Sequence, residues 1–348
     1  MIKVITLMTA LVPTIGHKAL VEFCRQLAYI KGGEAHIIVG TQPNEPFIRE
    51  RIEAFINAFP ETQEFNIHKY HKHAPQSPEE MPESFWEYWR DVVISLVGSV
   101  GHDDIFVASE LYGIDMARIL GCKFMPFNRY RDMLNIKGTA VRKDLLTRFA
   151  DIMPEFQPYI RKTVTLFGQE SCGKTTMAKR LARDMNGTFV PEWAREYLET
   201  VGVETTDDRM YDIVHGQAAL QGAAAGVQNR PWIFQDTDLL STIGYYHIYG
   251  GAIRQPKDLQ DCQSLFDRRK SDMYIVMNDR IPFEEDQLRY GGDKRESSKQ
   301  FWIDLLEKNN CKYYVVKETD HEKQFEEIRV FLLEWFHEET RIISEYER

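Results

Sequence analysis

The sequence predicts an α/β protein built as two domains, each a mostly parallel sheet covered by helices. Three observations carry this. Strand-like and helix-like segments alternate along the whole chain, the signature of parallel strands joined by crossover helices. The length, 348 residues, suits two domains rather than one. A break near residues 151–162, punctuated by Pro154 and Pro158, is followed by a restart of the same alternation.

In the first half the apolar run at residues 2–8 reads as a strand and 17–29 as a helix. A strand at 35–39 follows, then a helix over 46–58 with Pro46 at its start. Residues 65–70, 105–108 and 123–126 read as further strands, and 84–97 and 111–120 carry helical periodicity. After the break, a strand at 163–167 runs into a glycine-rich turn and a helix over 175–184. Later strands fall at 232–235, 273–277 and 313–316, and a long helix over 320–341 closes the pattern. The domains are placed at 1–152 and 160–348.

Composition narrows the class. Apolar residues make up 43% and charged residues 28%, ordinary for a globular chain. The net charge of −10 argues against a general nucleic-acid binder, which carries a basic face. The five cysteines, Cys24, Cys122, Cys172, Cys262 and Cys311, form no CxxC pair, so neither a disulfide framework nor a zinc site is expected. A reducing cytoplasm is the expected compartment. The apolar start reads as a buried strand rather than a signal peptide, because Pro13, Gly16 and His17 follow at once. No apolar stretch reaches the roughly 18 residues of a membrane span.

The most specific motif is Gly168-Gln169-Glu170-Ser171-Cys172-Gly173-Lys174-Thr175, followed by Thr176. It matches the phosphate-cradling pattern G-x-x-x-x-G-K-[ST] and sits between a strand and a helix, as that pattern requires. Lys174 is expected on the β- and γ-phosphates of ATP and Thr175 on magnesium. The strand at 232–235 delivers Asp236 to its C-terminal end, where open α/β sheets bind ligands, so Asp236 is the candidate magnesium-side acid. Its structural alternative is a helix cap before Leu239, a job open also to Thr237 or Asp238. Glu192 is a candidate to take the proton of an attacking hydroxyl, and Arg195 to bind an anionic or carbonyl group. The alternative there is a solvated helix start. Asp286-Gln287-Leu288-Arg289 reads either as a lid bringing Arg289 over the phosphates or as a charged surface turn.

In the first half, Pro13-Thr14-Ile15-Gly16-His17 follows a strand and opens a helix. It resembles the [HT]-x-G-H motif of nucleotidyltransferases, in which a helix N-terminus and the histidine hold a triphosphate. Ile136-Lys137-Gly138-Thr139-Ala140-Val141-Arg142 resembles the second signature of that group, I-S-x-T-x-x-R. Together with Trp86-Glu87-Tyr88-Trp89, Ser109-Glu110 and the motifs of the second half, these make the chain resemble the bifunctional nicotinamide-nucleotide adenylyltransferase and ribosylnicotinamide kinase family over nearly its full length.

The resemblance implies a Rossmann-like nucleotidyltransferase α/β domain followed by a P-loop kinase α/β domain. It implies that nicotinamide riboside is phosphorylated by ATP to the mononucleotide, which a second ATP adenylylates to NAD, with Mg2+ as cofactor. Thr14, Gly16, His17, Lys137, Thr139 and Arg142 would hold ATP in the first site, with His17 catalytic. In the second site Gly168, Glu170, Ser171, Cys172, Gly173, Lys174, Thr175, Thr176 and Arg289 would hold it. Lys174, Glu192 and Asp236 would be catalytic there, with Asp236 and Thr175 on the metal. Trp86, Trp89, Glu192, Arg195 and Asp236 would contact the substrates. The form expected is the one without the N-terminal DNA-binding module of some members, with no nucleic-acid or membrane partner.

The sequence departs from the family pattern where Thr14 stands for a histidine, Lys137 for a serine, and Val12-Pro13 shift the upstream spacing. The alternatives are an adenylyltransferase or nucleoside kinase of other specificity, and an NAD-sensing regulator with residual catalysis.

Overall fold

The computed structural model describes residues 1–60, 62, 64–202, 207–249, 256–278 and 299–346. The chain divides into two compact units. One is Met1–Tyr159 with the terminal stretch that begins at Thr340; the other is Ile160–Glu339.

The first unit contains β1 (Lys3–Met8), α1 (Ile15–Lys31), β2 (Glu34–Thr41), α2 (Ile48–Ala58), β3 (Phe65–His71), α3 (Phe85–Val97), β4 (Ile105–Ala108), α4 (Tyr112–Leu120), β5 (Lys123–Pro126) and α5 (Gly138–Lys143). A short α6 (Gln157–Ile160) spans the division. The sheet is parallel in the order β3-β2-β1-β4-β5, with Val4 opposite both Ala35 and Ile105. Residues of β2 from Ala35 on, and all of β4, are buried, which is why these strands read as continuous apolar runs rather than alternating ones. The chain winds outward from β1 to β3 and then restarts at β4 on the other side. This leaves a crevice at the C-terminal ends of β1 and β4.

The second unit contains β6 (Lys162–Phe167), α7 (Lys174–Asp184), β7 (Gly187–Val190), α8 (Trp193–Val201), α9 (Asp207–Ala225), β8 (Trp232–Gln235), α10 (Leu239–Tyr249), α11 (Pro256–Arg269), β9 (Met273–Val276), α12 (Lys299–Lys308), β10 (Tyr313–Val315) and most of α13 (His321–Ser344), whose residues from Thr340 on fall to the first unit. Its sheet is parallel in the order β10-β9-β6-β8-β7. The core on one face is aromatic: Phe167 meets Tyr274 and Trp302 edge-on at 5.4 and 5.2 Å. The turns after β6, β7 and β8 carry the phosphate motif, Glu192 and Asp236 respectively.

The α/β architecture with two parallel sheets is thus as the sequence predicts. One helix start is corrected: Pro46 does not open α2. The helix begins at Ile48 behind Phe47, whose φ of 54° is left-handed. Glu45 is held by Arg51 from within the helix, and Phe47 packs edge-on against Phe156 at 5.9 Å, so the chain enters through a kinked residue. No helix among the described residues is long and apolar enough to cross a membrane. None of the cysteines is disulfide-bonded.

Candidate functional site

A cavity of about 690 Å³ lies at the β1/β4 crevice of the first unit, within the size range of small-molecule sites. Thr14, buried, caps α1: its hydroxyl accepts the His17 N–H at 3.3 Å. The His17 ring folds back so that Nδ1 accepts the Thr14 backbone N–H at 3.0 Å and lies 2.8 Å from Thr14 Oγ1. This is a capping box with histidine in the place of the usual Glu or Gln. A backbone amide only donates, so Nδ1 carries no proton and the neutral ring is protonated at Nε2. The cap therefore selects the tautomer whose Nε2–H is a donor, on a ring that lines the cavity.

The fold brings the two sequence signatures of this half together. A Cβ on Gly16 would stand 3.8 Å from Ile136 Cβ, and one on Gly138 would stand 3.7 Å from His17 Cε1. Lys137, the exposed N-cap of α5, Thr139 in its first turn and Arg142 all line the cavity. Arg142 is half-buried and has no hydrogen-bond partner among the described residues; burial lowers its pKa and the Glu45 charge opposes that.

The two tryptophans differ. Trp89 is 6% exposed, donates its indole N–H to Pro75 O at 3.0 Å, and packs against Tyr70 and Tyr88, so most of it is core. Trp86 is half-buried and meets Phe85 edge-on at 5.0 Å; both tryptophans line the cavity.

Sequence reasoning missed the supports of this site. Glu45 and Arg51 form a fully buried ion pair at 2.5 Å, and Arg51 also donates to Thr9 O at 3.2 Å. That bond anchors the cavity-lining loop in which Ala10 has a φ of 33°. Arg131 joins the lining beside Glu110 at 3.4 Å. A buried pair six residues apart in a loop and a helix has no periodic signal.

In the second unit the phosphate motif adopts a cradle. Gly168, Ser171 and Gly173 have φ of 128°, 56° and 83°, positive values at three of six positions in the loop that leads into the N-terminus of α7. Lys174 Nζ donates to Gly168 O at 3.0 Å and Gln169 O at 2.6 Å, spanning the loop. Cys172 is buried and its thiol donates to Gln169 O at 3.0 Å, so it is part of the scaffold. Thr175 Oγ1 donates to Asp236 Oδ2 at 2.7 Å, while Thr176 is exposed on the same first turn.

The carboxylates converge on this cradle. Burial raises the Glu192 pKa first, the Asp236 and Glu170 charges add to it, and Lys174 and Arg195 oppose. Asp236 is 4% exposed; burial raises its pKa, opposed by the Thr175 hydroxyl and by Lys174 and Arg195. Glu192 sits at the N-cap of α8 but makes no side-chain cap bond. Capping at the end of β8 falls to Asp238, which accepts from Leu240 N, Ser241 N and the Tyr274 hydroxyl. Arg289 and its segment lie outside the described residues.

Residues 163–324 match the AAA domain family. The chain is 24% identical to the trifunctional NAD biosynthesis/regulator protein NadR of Escherichia coli (strain K12), with 89% of this chain and 77% of that protein covered. The identity and coverage are the same for the protein of that name from Salmonella typhimurium (strain LT2). A crystal structure of NadR protein in complex with NAD and AMP-PNP aligns with all of this chain at 19% identity, 98% of that chain and a TM-score of 0.63. One in complex with NR aligns with 99% of this chain and 97% of that chain at 20% identity and the same TM-score, 0.63. These likenesses bear out the α/β fold and a resemblance to NAD biosynthesis proteins of the NadR kind.

Proposed function

We propose that the chain is a bifunctional enzyme of NAD biosynthesis, phosphorylating nicotinamide riboside in its second unit and adenylylating the mononucleotide in its first. What supports this is that the first strand of each sheet leads into a glycine-bearing turn and a helix N-terminus, with His17 at one and Lys174 at the other, in a chain similar to NAD biosynthesis proteins.

In the second unit the riboside 5′-hydroxyl attacks the γ-phosphorus of ATP, the bond to the β–γ bridging oxygen breaks, and ADP leaves. Lys174 and the loop amides hold the phosphate oxygens, and positioning with charge neutralisation supplies the rate. Glu192, with its raised proton affinity, takes the hydroxyl proton. The Thr175 hydroxyl and the Asp236 carboxylate are hard oxygen donors 2.7 Å apart, a set that fits magnesium, which typically takes one or two protein oxygens plus phosphate and water. When bound, magnesium neutralises charge on the β- and γ-phosphates. Arg195 binds the riboside.

In the first unit a phosphate oxygen of the mononucleotide attacks the α-phosphorus of ATP and pyrophosphate leaves. The His17 Nε2–H and Arg142 stabilise the developing charge. The face of Trp86 carries the cationic nicotinamide ring. Mass spectrometry of the products from nicotinamide riboside, ATP and magnesium tests the reading. Mononucleotide, NAD, ADP and pyrophosphate are expected, and the absence of both mononucleotide and NAD refutes it.

A further inference from the structure

Glu192 and Asp236 stand on turns that follow different strands, β7 and β8, yet one buried side chain bonds to both turns. Gln217 of α9, 2% exposed, accepts the Trp193 backbone N–H through Oε1 at 2.8 Å. Its Nε2 donates to Thr237 O at 3.1 Å and to Pro191 O at 3.4 Å. Pro191 and Trp193 flank Glu192, and Thr237 follows Asp236. The strands beneath are tied as well, with Asp236 N donating to Val190 O at 3.0 Å.

Gly216 explains how α9 comes so close. A Cβ there would stand 1.8 Å from Trp193 Nε1 and 2.3 Å from its Cδ1, so the indole rests where only a glycine leaves room. Because the Glu192 side chain makes no cap bond, its position depends on the backbone of residues 191–193, which Gln217 grips from both sides.

We propose that Gln217 is a positioning residue for phosphoryl transfer, fixing the turn that carries the Glu192 base against the turn that carries Asp236. The inference rests on the reading of this site as a riboside kinase. A primary amide supplies an acceptor and donors from one side chain, and this geometry uses both. Glutamate keeps the acceptor for Trp193 but turns lone pairs toward two carbonyls and adds charge beside the two carboxylates. Methionine fills the volume and makes none of the bonds.

The test uses the full chain with nicotinamide riboside, ATP and magnesium, comparing Gln217→Met, Gln217→Glu and Gly216→Ala with wild type. The phosphorylation kcat is expected to fall about ten- to a hundredfold in each, the cost of a base displaced by an ångström or less. KM for ATP should change less than about threefold, because the P-loop contacts stay in place. In Gln217→Glu the acid limb of the kcat profile should move to higher pH, because the added charge holds protons on its neighbours. Adenylyl transfer from added mononucleotide should be unchanged. Loss of packing alone would lower the melting temperature and leave kcat and the acid limb where they are. Wild-type kcat with an unmoved limb in the folded variants overturns the inference. If the Gln217 variants do not fold, Gly216→Ala decides: a loss of kcat supports the brace and full kcat overturns it. Absence of phosphorylation in the wild type overturns the reading of the site itself.

Discussion

Thr175 Oγ1 donates to Asp236 Oδ2 across 2.7 Å, joining the first turn of α7 to the end of β8. The P-loop and the acid on the neighbouring strand thereby form one oxygen-lined corner. Asp236→Asn should weaken the apparent magnesium affinity of riboside phosphorylation and lower kcat by roughly 10²-fold or more, as losses of charge stabilisation do. Titrating magnesium against initial rate checks this. An unchanged magnesium dependence would remove Asp236 from the metal corner.

Lys174→Ala removes the cation that spans the cradle. Phosphorylation should fall by roughly 10²–10³-fold, or about 3–4 kcal/mol. NAD formation from added mononucleotide should persist. Collapse of both activities in a folded variant would rule out independent sites.

In the first unit, His17→Ala and Arg142→Ala should each abolish adenylyl transfer and spare phosphorylation. Thr14→Ala should also slow adenylyl transfer, since it removes the cap hydroxyl beside Nδ1, and should cost about 1 kcal/mol of stability. Lys137 stands exposed on the cavity rim, so Lys137→Ser should raise the ATP KM by about two- to fivefold, the size of an exposed ionic contact. Near-normal NAD synthesis by His17→Ala would make the Gly-His turn purely structural.

On the proposed reading of Glu192 as the base, the pH dependence of phosphorylation follows from this residue. Its pKa is raised by burial and then by the charge of Asp236, and the base works only when ionised. Activity should therefore fall with decreasing pH through a value above the usual carboxylate range of about 4. In Asp236→Asn the charge that holds the Glu192 proton is gone, so the acid limb of the residual activity should move to lower pH. Rate profiles of the two proteins decide it, and coincident limbs refute the assignment.

Asp238 gives a stability signature separate from catalysis. Burial pushes its carboxyl up to about 6, despite hydrogen bonds from Tyr274, Ser241 and Leu240. The folded state then binds the proton more tightly than the unfolded chain, whose carboxyl titrates near 4. This group's contribution is fully present below about pH 4 and is lost as pH rises through about 6, by up to about 3 kcal/mol. Asp238→Asn, still able to cap α10, lacks this titration. Urea unfolding at several pH values should show wild type losing stability relative to the variant across that window. A constant difference would contradict the raised carboxyl.

The sequence alone determined what rests on near neighbours in the chain. The strand, glycine turn and helix at 162–184 follow from apolar patterning and from residues that tolerate left-handed φ, so the placement of Lys174 and Thr175 at the start of α7 was legible. The Thr14–His17 cap lies within one helical turn and was readable as a helix start. Helices α9 and α10 were less legible, since α9 carries no distinct apolar stripe and α10 is apolar on most of its faces.

Only the tertiary structure decided between equivalent residues. Asp236 and Asp238 are two positions apart after the same strand, yet one reaches Thr175 and the other is spent on α10 and Tyr274. Trp86 and Trp89 share a helix face and both line the cavity, but packing against Tyr70 and Tyr88 buries most of Trp89 while Trp86 stays half-buried. The meeting of Gly16 with Ile136, the Glu45–Arg51 pair beneath Thr9 and the reach of Gln217 to residues 191 and 237 left no local trace. A short-range hydrogen bond is set by backbone geometry that spacing encodes. A long-range one exists only once packing has closed the intervening loop, and its partner is chosen by which side chains the sheet and its helices bury together.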